Sequence, residues 1–138
     1  MPALRPDLAP MSDCTTEGVR VEIMSRYSAS QSKPGQSDWV FEYTVRITNV
    51  GQQDVQLISR HWIIIDALER EREVKGEGVI GQQPFLAPGE SFVYSSWCPL
   101  KTPTGSMRGW YHMVRGADEE FTVKIAEFGL RATAAALQ

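Results

Sequence analysis

Apolar and polar positions alternate most regularly from Trp39 to Thr48, where Trp39, Phe41, Tyr43, Val45 and Ile47 are interleaved with Val40, Glu42, Thr44, Arg46 and Thr48. A period of two sustained over that length predicts a long β-strand with one large apolar face. The same reading, in shorter form, gives a strand through Val19, Val21 and Ile23, and another near the end of the chain through Phe121, Val123 and Ile125. Val55 to Asp66 becomes continuously apolar and β-branched toward its end, as a central strand does. Ser91–Cys98, Gly109–Val114 and Glu119–Phe128 complete the strand candidates. Glu69-Arg70-Glu71-Arg72-Glu73 alternates in sign. A helix would set Glu69 against Glu73 at i,i+4, whereas a strand at a sheet edge separates the Glu and Arg side chains onto two faces.

Turn chemistry separates these runs. Ser28 to Asp38 is dense in Ser, Gly and Pro and reads as a loop, and Asn49-Val50-Gly51 supplies a turn. Ala87-Pro88-Gly89-Glu90 has Pro then Gly at its central positions, as a type II turn requires, and Thr102-Pro103-Thr104-Gly105 is a second proline turn. No segment shows a convincing amphipathic helix. The pattern predicts an all-β chain, an antiparallel β-sandwich of about seven or eight strands of immunoglobulin or fibronectin type III kind, with Trp62 as its core tryptophan.

Composition narrows the function classes. The 138 residues suit one domain, and 14 basic against 17 acidic residues give a formal charge of −3, without the broad positive field that nucleic-acid binding uses. No apolar run approaches the roughly 18 residues of a membrane helix, so neither membrane insertion nor direct metal transport is expected. Cys14 and Cys98 are far apart and outside any C-x-x-C pattern, which predicts two reduced thiols in a cytoplasmic protein. Prolines at 2, 6 and 10 and the lack of a long apolar stretch mark residues 1–14 as a flexible leader, not a secretory signal, and Met11 offers a second start. Residues 131–138 read as a flexible tail, leaving 15–130 as the domain.

One stretch raises a chemical question. Lys75-Gly76-Glu77-Gly78-Val79-Ile80-Gly81 contains G-x-G-x-x-G, a spacing found at nucleotide-binding turns. In the dinucleotide fold a helix must follow those glycines, and Pro84, Pro88 and Gly89 leave no room for one. The ribose-binding acidic residue about 20 positions on is missing too, since none lies between Phe92 and Ala117. What survives is a glycine-rich backbone that could hold an anion, with Arg72 and Lys75 beside Gly76, Gly78 and Gly81, set against glycines that serve a turn or bulge. His61 and His112 show no metal-ligand spacing with carboxylates such as Asp66, and Ser95-Ser96 lacks a nucleophile elbow. No catalytic residue, metal site or cofactor is predicted.

Taken in order, the motifs resemble the ApaG family, called CorD in enterobacteria. The residues that carry the resemblance are Ser59-Arg60-His61-Trp62-Ile63-Ile64; Gly76, Gly78, Val79, Gly81, Gln83 and Pro84; Leu86, Pro88, Gly89 and Glu90; and Phe92, Tyr94 and Ser96. It continues through Thr102, Pro103, Gly105, Met107, Gly109, Tyr111 and Met113 to Phe121, Val123 and Ile125, covering about Val19 to Leu130. Departures from the family pattern are Ala67-Leu68-Glu69 in place of a tighter turn, Trp97 in place of a Gly, and Ala126 in place of a Pro.

The resemblance implies a fibronectin III-like domain that also occurs appended to F-box proteins and to a polymerase delta-interacting protein. It also implies an indirect association with Co²⁺ and Mg²⁺ homeostasis and no established catalytic residues. The leading expectation is therefore a non-enzymatic binding module with a protein partner, met through a sheet face or edge. The alternative is a pyrophosphate or nucleotide sensor using Arg72, Lys75 and the Gly76–Gly81 loop, with Mg²⁺ or Co²⁺ as accompanying ions. Hydrolysis of a nucleotide polyphosphate ranks third. Exposed strand edges leave a homodimer open.

Overall fold

The computed structural model describes residues 11–132, so residues 1–10 of the expected leader and 133–138 of the expected tail lie outside the described residues. Nine strands follow in chain order: β1 (Ser12–Thr16), β2 (Val19–Lys33), β3 (Asp38–Asn49), β4 (Val55–Asp66), β5 (Glu71–Glu77), β6 (Phe85–Leu86), β7 (Ser91–Leu100), β8 (Thr104–Arg115) and β9 (Glu119–Arg131). They form two antiparallel sheets, β1-β2-β3-β7 and β5-β4-β8-β9, with β6 added to β4. The fold is the expected β-sandwich.

The alternation in β3 sets its register. Phe41, Tyr43, Val45 and Ile47 are buried between the sheets, while Glu42, Thr44 and Arg46 between them are only partly covered. A slip of one residue would exchange these sets, losing about 1.5–3 kcal/mol for each large apolar side chain brought out. From the facing sheet Trp62 is 2% exposed and meets Tyr43 and Phe128 with ring centroids 5.3 Å and 6.0 Å away, both near edge-on. The core tryptophan is where the sequence places it. Below it, the hydroxyls of Tyr94 and Tyr111, one from each sheet, are 2.5 Å apart and satisfy each other.

Several boundaries differ from the sequence reading. The expectation of a leader through residue 14 is corrected: Ser12–Thr16 pairs with Val19–Ile23, and Ser12 is buried with its hydroxyl donating to the Ala126 carbonyl at 2.6 Å. Likewise the tail begins later than residue 131, because Arg131 pairs with Thr104 and the Ala132 N–H donates to Pro103 O at 2.9 Å. The expected loop over Ser28–Asp38 is mostly strand. β2 runs on to Lys33, a single 3₁₀ turn spans Pro34–Gln36, and Lys33 pairs with Asp38. The Pro88-Gly89 turn holds: Gly89 has φ +87° and Glu90 N donates to Ala87 O at 2.9 Å, as in a type II turn. The expected turn over Thr102–Gly105 is corrected, because β8 already begins at Thr104 and only a bend through Thr102 and Pro103 joins it to β7.

The two sides of the sandwich close differently. On one side β1 is stitched to β9 by the Ser12 bond and by Lys124 N donating to Thr16 Oγ1 at 3.2 Å. On the other side β5 and β7 are the outermost strands of their sheets, and a side chain spans the gap: Arg72 Nη2 donates to Pro99 O at 2.7 Å. That side stays open.

Candidate functional site

The glycine motif lies at the end of β5 and in the hairpin that follows. β4 bulges between Leu57 and Ser59, which takes the Ile58 carbonyl out of its ladder with β8. Gly78 N donates to that carbonyl at 2.8 Å and Gln83 Nε2 at 3.0 Å, so the hairpin is docked on the bulge. Val79 and Gln82 then exchange two backbone bonds, 2.8 Å and 2.9 Å, around Ile80 and Gly81 at φ +43° and +77°. Both central residues are left-handed, the geometry of a two-residue hairpin turn in which glycine or asparagine is preferred. The N–H groups of Val79 and Gln82 are therefore bound inside the hairpin, and that of Gly78 is bound to β4.

Gly78 is required by close approach as well as by conformation, while Gly76 leaves room for a side chain. A Cβ on Gly78 would stand 2.3 Å from Gln82 O. A Cβ on Gly76 would stand 2.8–2.9 Å from the Arg60 guanidinium. Arg60 pairs with Gly76 across β4 and β5, and its Nη1 donates to the carbonyls of Glu77 at 3.1 Å and Gly78 at 2.9 Å. The first glycine of the motif makes room for an arginine sixteen residues earlier.

Period two splits the predicted site residues. Arg72 and Gly76 point to the inner side of β5, toward the gap with β7. Lys75 lies on the outer face beside Glu73, at 3.6 Å, in register with His61. Gly81 sits at the hairpin tip with open space where a Cβ would be. Arg72 and Gly76 thus meet around Arg60, while Lys75 and Gly81 stand apart from them.

The gap between β5 and β7 is a cleft of about 280 Å³, bounded by Arg60 and Trp62 of β4, Arg72 and Val74 of β5, Tyr43 of β3, and Ser96 and Trp97 of β7. Among the described residues no ion pair reaches either arginine. Trp62 lines the cleft, and its Nε1 is buried without a hydrogen-bond partner. Trp97, which stands where the family pattern has glycine, is 48% exposed on the rim. Burial raises the pKa of the Tyr43 hydroxyl, and burial pushes the Cys98 thiol up to about 11 against the opposing pull of Arg72, so both are neutral near pH 7. The cleft presents donors and positive charge on apolar walls. Sequence reading missed Arg60 and Tyr43 here, because their partners come from other strands.

The outer face of the larger sheet carries the histidines. His61 stacks near Trp110, with centroids 4.3 Å apart, and reaches Glu73 at 3.1 Å, while His112 reaches Glu120 at 2.8 Å. Among the described residues no three His, Cys, Asp or Glu side chains gather into a metal-holding group. Each histidine instead faces one exposed carboxylate across a strand pair.

A family model described as the ApaG domain matches residues 29–115. A protein from Bordetella pertussis called Protein ApaG is 58% identical over 108 residues, 78% of this chain and 82% of its own length. Another Protein ApaG, from Anaeromyxobacter dehalogenans, is 51% identical over 120 residues, 87% of this chain and 94% of its own. Among solved structures, the crystal structure of an ApaA protein from Bordetella pertussis superposes with a TM-score of 0.80 at 52% identity, covering 90% of this chain and 97% of that one.

Proposed function

The chain belongs to the ApaG domain family, and on that premise we propose that it is a non-enzymatic binding module that recognises a protein partner along the open side of its sandwich. The observation that supports this most is the contrast between the two edge strands of that side. β5 carries Glu71, Arg72, Glu73, Lys75 and Glu77, the alternating charge that discourages strand pairing. β7 reads SFVYSSWCPL over its ten residues, with no acidic or basic side chain and with Trp97 exposed. An edge with unpaired backbone and no charged guard is the surface to which extended partners add.

The chemistry points the same way. The nucleophile-bearing side chain nearest the cleft, Cys98, is neutral and buried, and the histidines are held by exposed glutamates on the other face of the sheet. Among the described residues no helix is long and apolar enough to cross a membrane. A part in Co²⁺ or Mg²⁺ homeostasis, which the family resemblance implies, would then be exerted through the partner. The alternative proposal, a pyrophosphate or nucleotide on Arg72, Lys75 and the Gly76–Gly81 loop, gains less support, since the Gly78 and Val79 N–H groups are already bonded to Ile58 O and Gln82 O and Arg72 faces away from Lys75.

The test is affinity capture from lysate by the wild-type protein and by Trp97→Lys, which places a charge on the β7 edge. A partner held by the wild type and lost by the variant is the expected result. Capture of the same proteins by both, or of none above background, would overturn the reading.

A further inference from the structure

Two arginines in one cleft ask for an anion. Arg60 is half-buried and Arg72 is exposed beside it, and placing a guanidinium partly out of water costs free energy that a facing carboxylate normally offsets. Arg60 and Arg72 find only neutral acceptors among the described residues: the carbonyls of Glu77, Gly78 and Pro99, and the Cys98 sulfur at 3.6 Å. Arg60 Nη1 is the only atom of its guanidinium used in those bonds, and Arg72 uses Nη2 alone. The other nitrogens of both groups retain donors for a ligand, and a guanidinium binds a carboxylate through two of them at once.

A second observation is independent of charge. Trp62 is 2% exposed, lines the same cleft, and leaves its indole N–H without an acceptor. Buried donors are rarely left unpaired, and an indole can only donate. Among the described residues the cleft therefore has an excess of donors and no charged acceptor. Its own acidic groups do not fill that need, because the Tyr43 hydroxyl and the Cys98 thiol stay protonated near neutral pH.

Size and position select the form of the anion. About 280 Å³ lies below the range of pockets that enclose a whole drug-sized ligand, and it suits one side chain. The walls supplied by Val74, Met107 and Ile64 suit an aliphatic stem. The opening runs beside the uncharged edge of β7, where an added strand would direct alternate side chains into the gap between the sheets.

We propose that the cleft is a carboxylate subsite for an extended peptide strand that adds to β7, with a glutamate or aspartate side chain seated between Arg60, Arg72 and the Trp62 indole N–H. This rests on the reading of the protein as a partner-binding module and specifies the partner: an extended segment with an acidic residue facing the sandwich interior. Trp97 flanks the added strand on the outer side. The seated carboxylate accepts from both guanidinium groups and from the indole, completing the hydrogen bonding of the buried Trp62.

The experiment is an amide- and indole-resolved NMR titration of the full chain with three probes. They are a terminally blocked pentapeptide of sequence VTEVT, its VTQVT counterpart, and inorganic pyrophosphate. The expected result is saturable shifts at Ser96, Trp97, Arg72 and the Trp62 indole with the glutamate peptide, and at least tenfold weaker binding of the glutamine peptide. Arg72→Gln should bring the glutamate peptide down to the affinity of the glutamine peptide and leave the latter unchanged. Thermal melting of Arg72→Gln at wild-type temperature shows that the variant is folded. Equal binding of both peptides would overturn the carboxylate subsite while leaving strand addition and the binding-module reading in place. Shifts with pyrophosphate alone would overturn the strand component in favour of a small-anion site. No response to any probe would overturn the inference entirely, and the lysate capture comparison would then decide the module reading separately.

Discussion

Gly78 and Gly81 offer a controlled comparison, because both have left-handed backbone, φ +64° and +77°, but only Gly78 is also crowded. Alanine at a left-handed position costs about 1–2 kcal/mol, and the loss of unfolded-chain freedom returns about 0.4–1 kcal/mol. For Gly81→Ala those terms are the whole effect, since nothing stands within 4 Å of the new methyl group. The expected loss is about 1 kcal/mol. Gly78→Ala adds a methyl 2.3 Å from Gln82 O, and the hairpin must move by about an ångström to reach ordinary contact distance.

That movement loosens the Gly78–Ile58 bond or the Val79–Gln82 pair, at about 0.5–1.5 kcal/mol each, and draws Val79, 1% exposed, partly out of the core. The expected loss for Gly78→Ala is therefore about 3–4 kcal/mol. For a chain of 138 residues each kcal/mol corresponds to about 3–4 °C in Tm, so the two variants should melt about 7–10 °C apart. Calorimetry or circular dichroism melting of both proteins at pH 7 measures this. Melting within about 3 °C of each other would refute the idea that close approach to Gln82 fixes the glycine.

Three further outcomes follow from the buried polar groups. Tyr94→Phe or Tyr111→Phe alone should cost about 1–3 kcal/mol by leaving one buried hydroxyl unpaired, whereas the double variant should lie within about 1 kcal/mol of wild type; additive losses in denaturant unfolding would contradict mutual satisfaction. Burial raises the pKa values of Tyr43, Tyr94 and Tyr111 in the folded state, so their contribution is intact below the unfolded tyrosine value near 10 and is lost as pH rises above it. Stability should fall from pH 10 to 11 by about 1 kcal/mol for each tyrosine that stays protonated in the folded state, and a flat denaturant midpoint across that interval would refute it. Cys98, at about 11, should be ionised in roughly one molecule per thousand at pH 8, so iodoacetamide should label it over a hundredfold more slowly in the native than in the unfolded protein; comparable rates would place the thiol outside the cleft.

Much of the fold was legible because its decisive signals are local. Val55–Asp66 was bounded at the observed residues, the charge alternation after Glu69 announced an edge strand, and Pro88-Gly89 announced its turn. β1 was not legible. SDCTT has no apolar alternation of its own, and it is ordered by pairing with Val19–Ile23 and by bonds to β9, partners that a local window does not contain. The Ser- and Lys-containing end of β2 was taken for a loop because its side chains stay largely in solvent, while the backbone remains extended as far as Lys33.

The site divides in the same way. The glycines were recognisable as turn residues, and their spacing did not identify which atoms they admit. Arg60 is the reason for Gly76, and the contact joins two strands through a register set by the whole sheet. The grouping of Arg72 with Lys75 overlooked the strand's own geometry: three residues apart on β5, they face opposite sides. Trp97 was marked as a departure from the family pattern, and the structure places it on the rim of the cleft.

The closure of β1 onto β9 also determines where the folded core can be tethered. Met11 and Gly129 meet over Ser25, whose hydroxyl lies 3.3 Å from the Met11 sulfur and 3.1 Å from the Gly129 carbonyl, on the side of the sandwich away from β7. The neighbouring ends also make the chain a good subject for circular permutation, with a short linker from Ala132 back to Ser12 and a new opening in the β4–β5 turn at Leu68, where the side chain is 67% exposed. A domain laid out this way can be carried within a longer polypeptide without rearranging its two sheets.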